Sequence, residues 1–314
     1  MGLPRERVDV GVVTWNTARL TVDALRRLLD SDQGCDLRIL VRDNASSDGT
    51  AEAISRDVPE AEIEAGSENL GFAAGMNRLI ARSDAEWFFP LNSDAWPEPG
   101  AIGRLITVAR EHSGAAAVAP RLQRPDGDLE HSTYPFPSLK VAAATAIGSK
   151  ISPERARRMM LVGAWMHDEP RAVDWAIGAA LLMRKEALDD VGGFDERFFM
   201  YVEDLDWCWR ARRRGWEIRF EPSAVVVHVG NASGAQRYGD RRTRAYMINT
   251  NRFYQREHGL IAATAYRGMN LAGTAAHYLR ARLGRDRNLA AYWRRELAAQ
   301  LPSVRRSVRK DAGP

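Results

Sequence analysis

The chain has 314 residues, of which 45% are hydrophobic and 27% charged, and its formal net charge at pH 7 is +4. This length suits one large α/β domain or two small ones, with enough apolar content for a sizeable core. Cys35 and Cys208 are too few for a disulfide framework or a thiolate metal site, which indicates a reducing compartment. The N-terminal residues are charged and precede no long apolar run, so we expect neither a signal peptide nor export.

The positive charge is concentrated near the C-terminus. Arg280–Pro314 contains ten Lys and Arg residues and three acidic ones, a net charge of +7, so the rest of the chain carries −3. Gly259–Leu279, the mildly apolar stretch before it, is interrupted by Arg267, Asn270 and His277, which argues against a membrane-spanning helix. We therefore expect a cytoplasmic protein that is peripheral at the inner face of the plasma membrane if the basic segment contacts lipid.

The first part of the chain alternates between predicted strands and helices. Strands are predicted at Val8–Trp15, Leu37–Arg42, Ala61–Glu64 and Glu86–Leu91, and helices at Thr17–Asp30, from Thr50 onward and at Ala73–Arg82. Asp48 or Thr50 is the expected cap of the second helix. This alternation predicts a mostly parallel sheet with helices on both faces, in which ligands bind at the carboxyl ends of the strands.

Each of these strands is followed by a cluster of polar residues. The clusters are Trp15-Asn16, Asp43-Asn44, Asn69–Gly71 and Asn92–Asp94. Any one of them is compatible with an ordinary turn and a helix cap, but four in succession favour a ligand site along one edge of the sheet. Their glycines form neither a dinucleotide fingerprint nor a phosphate loop, which disfavours an oxidoreductase or an NTPase.

The second half is less regular. Arg121–Pro137 is typical of a long surface excursion, and Val141–Ile147 is an apolar segment of uncertain type. Ala172–Arg184 is predicted as one sheet element, in which Gly178 marks a bulge or a close backbone approach. Trp175 in this element is either a core residue or a stacking platform for a ligand ring.

Gly192–Arg210 is the most distinctive stretch, because it is too acidic for a core and too aromatic for a linker. From Glu203 its periodicity predicts a helix that ends at Gly215. Asp204 and Asp206 share the first turn with Glu203, where unpaired N–H groups and the macrodipole favour ionised carboxylates. These acids either supply a general base or only cap the helix and pair with the arginines that follow.

A strand predicted at Val225–His228 follows the acidic helix. His228 closes this apolar run and precedes Gly230–Gly234, a loop of small and polar residues that could fold over a ligand. A lone histidine is more often a satisfied polar residue than a ligand, but this position favours a metal role.

Six motifs occur in the order VVTWN, VRDNASSDGT, ENLGFAAGMN, LNSDA, GGFDERFFMYVEDLDWCWR and AVVVHVGNAS, between about Val8 and Ser233. Together they resemble the inverting GT-A glycosyltransferases of family 2, most closely the rhamnosyltransferase-like branch that builds bacterial cell-wall and O-antigen polysaccharides. The resemblance implies an α/β GT-A fold, a mostly parallel Rossmann-like sheet flanked by helices. Residues 1–235 would be the catalytic domain, with a nucleotide-binding half (8–120) and an acceptor and catalytic half (121–235). Residues 236–314 would be a basic helical extension.

The resemblance also implies roles for the matching residues. Asp204 matches the catalytic base, and Glu203 is its predicted catalytic neighbour. Asp94 matches the last residue of the DxD motif, and with His228 it would hold a divalent metal, Mg2+ or Mn2+. The implied nucleotide- and donor-binding residues are Trp15, Asn16, Asp43, Asn69, Gly71, Asn77, Asn92, Ser93 and Asp94. From their place in Ala172–Arg184, and not from the resemblance, we predict that Trp175 and Gly178 bind the acceptor.

Some positions depart from the family pattern. Asn92 stands in place of the first acid of DxD, which leaves Asp94 as the carboxylate of that motif and bears on how tightly a metal binds. Trp15 replaces the usual Tyr, and the larger ring should still stack. Gln236–Asp240 does not fit the Gln-x-x-Arg-Trp motif of processive synthases, so we expect one sugar per encounter.

The expected function is non-processive, metal-assisted transfer of a sugar with inversion, best matched by L-rhamnose from dTDP-L-rhamnose. The acceptor would be a hydroxyl of a glycan or of a polyprenyl-diphosphate-linked glycan. The basic C-terminal helices would meet an anionic membrane surface, and no nucleic acid is expected as a partner. The alternatives are a UDP-sugar donor, a soluble small-molecule acceptor, a nucleotidyltransferase, which the missing Gly-rich turn after the first strand disfavours, and a non-catalytic nucleotide-sugar or lipid-binding protein.

Overall fold

The computed structural model describes residues 5–147, 152–161, 165–230 and 242–301. The chain divides into two compact units, one of Met1–Tyr134 with Met166–Ser233 and one of Pro135–Trp165 with Gly234–Pro314. The predicted domain boundary between residues 235 and 236 lies outside the described residues. No pattern in the sequence indicated that residues 135–165 group with the C-terminal helices.

The first unit begins with regular alternation of strands and helices. The elements are β1 (Arg7–Thr14), α1 (Ala18–Leu29), β2 (Asp36–Asp43), α2 (Thr50–Asp57), β3 (Glu62–Ala65), α3 (Gly71–Arg82) and β4 (Trp87–Asn92). Their ends lie within one or two residues of the predicted ones. Asp48 accepts a hydrogen bond from the Thr50 backbone N–H (3.1 Å), but the Ncap of α2 is Gly49, whose φ of 78° suits glycine, so the expectation that Asp48 or Thr50 caps this helix was wrong.

The chain then follows a less regular course. It forms β5 (Ala95–Pro97), α4 (Ala101–Glu111), β6 (Ala115–Gln123), β7 (Leu129–Glu130) and β8 (Thr133–Tyr134), and leaves for the second unit with α5 (Leu139–Ile147) and α6 (Pro153–Arg158). It returns with β9 (Arg171–Val173), β10 (Trp175–Ala176), β11 (Leu182–Arg184), α7 (Lys185–Val191), α8 (Glu203–Arg213) and β12 (Glu217–His228). The apolar segment of uncertain type is therefore a helix, α5, and the predicted acidic helix is α8.

The main sheet is parallel on one side and mixed on the other. Its strand order is β3-β2-β1-β4-β11-β6-β12-β5, with β7 paired to β6 and β9 to β12. β1 runs parallel to β2 and β4, β2 runs parallel to β3, and β6 runs parallel to β12, whereas β11 is antiparallel to both of its neighbours. Helices α1 and α4 contribute Leu25, Leu28 and Leu105 to the core. The predicted α/β class is confirmed.

The prediction of one sheet element over Ala172–Arg184 was wrong. This stretch forms three short strands with different partners, because β9 pairs with β12, β10 pairs with β8 in a separate two-stranded ribbon, and β11 lies between β4 and β6. The backbone crosses from ribbon to sheet between them, where the Ile177 N–H donates to the Ser132 carbonyl (2.9 Å) and the Leu181 N–H to the Pro90 carbonyl (3.3 Å). Residues 177–181 are thus held by single hydrogen bonds and by one isolated antiparallel bridge, between Ala180 and Leu91 of β4, instead of a continuous strand ladder.

The second unit is helical. It contains α5, α6, α9 (Arg242–Leu283), which is interrupted by a left-handed residue at Gly259, and α10 (Arg287–Gln300). α5 packs closely on α9, since a Cβ atom at Gly273 would lie 2.8 Å from the Cβ of Ala146. The His277 ring stacks on the Trp293 ring of α10 with centroids 4.6 Å apart.

Among the helices described, none combines the length and the apolar character needed to cross a bilayer.

Candidate active site

Hydrogen bonds join the four loops that follow the parallel strands. The Asn16 side chain after β1 accepts from the Ser47 N–H after β2 (2.7 Å), and Thr17 donates to Ser93 after β4 (3.4 Å). Asn44 after β2 donates through its amide to the Gly71 carbonyl (2.9 Å). The structure therefore brings the predicted polar clusters together at one edge of the sheet, as the carboxyl ends of parallel strands require.

Several predicted donor-binding residues shape their own loops. Both carboxylate oxygens of Asp43 accept from Ser46, one from its backbone N–H (3.0 Å) and one from its hydroxyl. Asn69 accepts from the Gly71 N–H (2.9 Å) and so holds the turn before α3. Trp15 is half-buried at the end of β1. Because each carboxylate oxygen has two lone pairs, Asp43 keeps acceptor capacity for a ligand. The roles of these residues in donor binding stay predictions.

The Asn69–Gly71 turn packs directly on the acidic and aromatic stretch. The Phe72 N–H donates to the Phe199 carbonyl (2.8 Å). The Asn77 amide on α3 makes a pair of hydrogen bonds, both 2.8 Å, with the backbone N–H and carbonyl of Phe194. Two motifs that lie more than 100 residues apart thus form one layer. The amide of Asn77 is engaged in that layer, which gives it a structural role beside the predicted ligand-lining one.

Asp94 and His228 meet at the rim of the sheet, where β5 pairs with the end of β12. The His228 Nε2 lies 3.3 Å from a carboxylate oxygen of Asp94 and 3.1 Å from the Asn92 side-chain nitrogen. On the other side of the ring, Nδ1 lies 3.0 Å from a carboxylate oxygen of Glu130 on β7. Asp94 and His228 are both buried. The structure therefore brings the two predicted metal ligands together and adds a second carboxylate behind the ring.

The charge of His228 follows from these neighbours. Burial by itself lowers the pKa of the imidazole, but the hydrogen bonds to Asp94 and Glu130 outweigh it and raise the pKa to about 9. A carboxylate and an imidazole nitrogen side by side form a donor set that suits Mg2+ or Mn2+ and leaves room for phosphate oxygens and water. Within the part of the chain that the structure describes, no three His, Cys, Asp or Glu side chains converge on one point. Asp94 and His228 therefore fit a divalent ion as a pair of ligands, with its other positions taken by the donor phosphates and water.

The acidic turn at the start of α8 is reached through a strained backbone. Tyr201 and Val202 have φ values of 71° and 82°, a left-handed conformation that a β-branched residue such as Val rarely adopts. Such residues cost about 1–3 kcal/mol each and persist only where their surroundings hold them in place. Here the Val202 carbonyl accepts from the Asp206 N–H (2.8 Å), so the strained residue begins the helix.

The three acids of this turn have different surroundings. Asp206 is fully buried and pairs with the Arg210 guanidinium (2.8 Å), which confirms that pairing as a structural role. Asp204 is half-buried, and its two oxygens accept from the backbone N–H groups of Gly178 (2.9 Å) and Leu205 (2.8 Å). Glu203 is only 6% exposed. Of the two predicted catalytic carboxylates, Asp204 is the one with access to solvent.

Asp204 and Glu203 differ in the causes that shift the pKa of each carboxyl group. Burial raises the pKa of Asp204, while the two N–H donors oppose this by stabilising its ionised form. Burial raises the pKa of Glu203 well above its ordinary value, and the adjacent Asp204 charge raises it further. We therefore expect Glu203 to hold a proton and Asp204 to carry the negative charge.

This proton on Glu203 should affect stability. A carboxyl whose pKa is raised by folding adds stability below its unfolded pKa and loses it as the pH rises through the folded pKa. Because Gln has the shape of the protonated acid, Glu203→Gln should raise the melting temperature at pH 8, with a gain that shrinks as the pH falls toward 4.5. Glu203→Ala, which leaves a cavity, should lower it at both pH values. A lower melting temperature for Glu203→Gln than for wild type at pH 8 would show that the buried group is ionised.

An aromatic pair stands on the β8–β10 ribbon. Trp175 is buried and stacks on Tyr134, with ring centroids 4.9 Å apart and planes 26° from parallel. Burial and the charges of Glu130 and Asp204 raise the pKa of the Tyr134 phenol to about 12. Tyr134 therefore lies within the field of both carboxylates. Gly178, three residues after Trp175, holds Asp204 through its N–H.

Sequence reasoning missed Glu130 and Tyr134. Both lie in Arg121–Pro137, which the pattern of prolines, glycine and polar residues marked only as a surface excursion. The segment instead turns back along β6 and ends in the ribbon, which places Glu130 behind His228. No local signal distinguishes these residues, since their significance comes from pairing across the sheet. Of the predicted loop Gly230–Gly234, the part from Asn231 lies outside the described residues, as does Gln236–Asp240.

A solved structure with the same architecture defines the fold class. The chain is similar to the mannosyltransferase PcManGT from Pyrobaculum calidifontis, solved in complex with GDP-Man and Mn2+, with a TM-score of 0.60 at 18% identity. The match covers 94% of this chain and 84% of that one. At 18% identity this similarity is evidence for the fold alone. It confirms the predicted GT-A fold.

Residues 9–191 match the family model described as Glycosyl transferase family 2, and residues 152–294 match the one described as Glycosyl transferase family group 2. The first match takes in more than half of the chain. The chain belongs to glycosyl transferase family 2.

The chain is also similar in sequence to two glycosyltransferases from Mycobacterium tuberculosis. The chain is 33% identical over 201 residues to an N-acetylglucosaminyl-diphospho-decaprenol L-rhamnosyltransferase, a match that covers 60% of this chain and 66% of the relative. It is 30% identical over 225 residues to a pre-mycofactocin glycosyltransferase, a match that covers 70% of this chain and 42% of the relative. The chain thus spans less than two thirds of either relative. The first match confirms the predicted likeness to the rhamnosyltransferase-like branch.

Proposed function

We propose that this protein is an inverting, non-processive glycosyltransferase that moves a sugar from a nucleotide diphosphate donor to an acceptor hydroxyl. The observation that carries the proposal is the geometry of Asp204, a half-buried carboxylate whose two oxygens accept from backbone N–H groups, beside Glu203, whose pKa is raised by burial. A group of this kind is suited to accept a proton in the transition state. The same unit carries the Asp94 and His228 pair, which suits the ion of a diphosphate site.

Asp204 supplies the base in this proposal. As the acceptor oxygen forms its bond to the anomeric carbon, its proton passes to the Asp204 carboxylate. The bond from the anomeric carbon to the diphosphate oxygen breaks on the opposite face, and the nucleoside diphosphate leaves with the electron pair. A single displacement of this kind inverts the anomeric centre. Glu203 contributes by remaining neutral, because a second negative charge there would raise the pKa of Asp204 further and favour its protonated form.

Asp94 and His228 would hold the divalent ion, with Asn92 beside them in place of a second carboxylate. When bound, such an ion neutralises the charge that develops on the departing diphosphate. The loops after β1 and β2, with Trp15 and Asp43, would receive the nucleotide base. Trp175 and Gly178 would lie toward the acceptor, and the position of Tyr134 on the same ribbon adds it to that side.

The donor and the acceptor are proposed from the relatives. The name of the M. tuberculosis rhamnosyltransferase includes a decaprenol-diphosphate-linked acceptor, so we propose L-rhamnose from dTDP-L-rhamnose and a polyprenyl-diphosphate-linked glycan. In the helical unit, Leu260 and Ile261 are 66% and 89% exposed beside the break at Gly259. Exposed apolar side chains on a basic helical unit suit the interface of an anionic membrane, which would place the enzyme at the inner leaflet.

Thermal stability with Mn2+ and a panel of dTDP- and UDP-sugars tests this proposal. A ligand at one hundred times its Kd stabilises the folded protein by about 2.7 kcal/mol. We expect a Mn2+-dependent rise in melting temperature with dTDP-rhamnose, and loss of that rise in Asp94→Ala. A response to UDP-sugars alone would overturn the donor but keep the reaction class. No response to any donor would overturn the proposed function.

A further inference from the structure

We propose that Glu130 is a positioning residue for the metal ligand His228. The inference rests on the proposed metal-dependent function and assigns a role to a residue that none of the six sequence motifs contains. A carboxylate behind a metal-binding histidine fixes the orientation of the ring and increases its basicity as a ligand. Glu130 would act through His228 and would not touch the ion itself.

The geometry of the ring supports this assignment. A carboxylate oxygen of Glu130 lies 3.0 Å from Nδ1, and a carboxylate oxygen of Asp94 lies 3.3 Å from Nε2 at the opposite side of the ring. An ionised carboxylate can only accept hydrogen bonds, so Glu130 requires the hydrogen to sit on Nδ1. In the neutral ring, Nε2 then carries the lone pair and points toward Asp94. This is the tautomer that a metal ion shared with Asp94 needs.

The fold holds Glu130 in this place. The residue lies on β7, where it pairs with Leu122 of β6. The hairpin between these strands is closed by hydrogen bonds from the Arg124 N–H to the Asp128 carbonyl (2.8 Å) and from the Gly127 N–H to the Arg124 carbonyl (2.9 Å). The hairpin tip is exposed, whereas the Glu130 side chain is 14% exposed. A largely buried carboxylate needs a partner to offset its desolvation, and the His228 ring is such a partner.

Mn2+ affinity, measured by isothermal titration calorimetry on the purified full chain, tests the role without relying on turnover. Loss of a residue of this kind typically weakens metal binding by about 10–100-fold. We expect that loss in Glu130→Ala. Glu130→Gln keeps an acceptor oxygen of the same reach, so it should recover most of the affinity. Glu111→Gln, an exposed acid on α4, is the matched control and should bind Mn2+ as wild type does.

The outcomes separate this inference from the proposed function. If Asp94→Ala loses Mn2+ binding while Glu130→Ala stays within twofold of wild type, the positioning role is wrong and the metal site stands. If Glu130→Ala unfolds, Glu130→Met decides, because Met has a side chain of similar length but no oxygen to accept from Nδ1: a Mn2+ affinity about 10–100-fold weaker than that of wild type supports the role, and an affinity within twofold of wild type overturns it. If wild type itself gives no Mn2+ response, both the metal site and the role of Glu130 are wrong.

Discussion

Replacing Asp204 with Asn should lower turnover by about 10²–10⁴-fold, the usual contribution of a general base. Asn keeps the size of the side chain and one of its acceptor oxygens, so it can still accept from either the Gly178 or the Leu205 N–H. It has no carboxylate to take the proton of the acceptor hydroxyl. We therefore expect the affinity for the nucleotide sugar to stay within a few-fold of wild type while single-turnover rates fall.

The pH profile gives a second readout for the same residue. Burial raises the pKa of Asp204 above its ordinary value of 3.8, so wild-type turnover should fall as the pH drops through that raised pKa. The Asn variant should lack this acidic limb. Asp189→Asn, which removes an exposed partner of Lys185 on α7, is the matched control and should keep full activity, because surface pairs contribute little. Near-normal turnover in Asp204→Asn would rule out Asp204 as the base.

Gly71→Ala should strongly destabilise the first unit. Gly71 has φ of +81°, and an added Cβ would lie 2.2 Å from the Phe199 carbonyl oxygen. That oxygen already accepts from the Phe72 N–H (2.8 Å), so it cannot move away without breaking the bond. The left-handed backbone and the overpacking together should cost about 2–5 kcal/mol. For a unit of this size we expect the melting temperature to fall by about 5–15 °C.

Gly71→Ala should also weaken donor binding, because the Gly71 carbonyl accepts a hydrogen bond from the Asn44 amide and so joins two of the loops at the sheet edge. Gly114→Ala in the same unit is the matched control, since a Cβ there would meet no atom within 4 Å. Its melting temperature should stay within about a degree of wild type, as expected of a surface substitution. A Gly71→Ala variant as stable as Gly114→Ala would show that the turn before α3 is looser than the structure describes.

The parallel half of the sheet was predictable because its strands are buried and its connections are short. Apolar runs such as Val8–Thr14 and Leu37–Arg42 end in polar turns. The hydrophobic pattern and the turn-forming residues therefore indicate the same strand ends. Ala172–Arg184 was not predictable in the same way. Its strands have two or three residues each, too few for a period, and their partners are set by neighbours far along the chain.

The site residues that could be predicted are those that lie at the end of a strand or at the start of a helix whose pattern is clear in the sequence. Asp94 follows β4 and His228 ends β12, so their meeting follows from two strand ends at one rim. Asp204 lies in the first turn of α8, and the start of that helix can be recognised from the periodicity of the sequence. Glu130 and Tyr134 could not be found, because they lie in a segment whose prolines, glycine and polar residues indicate only a long surface excursion. The difference between Asp204 and Glu203 also needed the structure, since neighbours in one helical turn are separated only by what surrounds them.

The division of the chain into two units has a consequence for truncation. Residues 135–165 leave the first unit between β8 and β9 and pack, through α5, on the long helix α9 that follows much later in the chain. Cutting the protein after β12 would therefore not isolate a catalytic core. It would strip α5 of the helix that covers Ala146 and leave an apolar surface on the remaining fragment. A minimal fragment would require an internal excision of residues 135–165 as well.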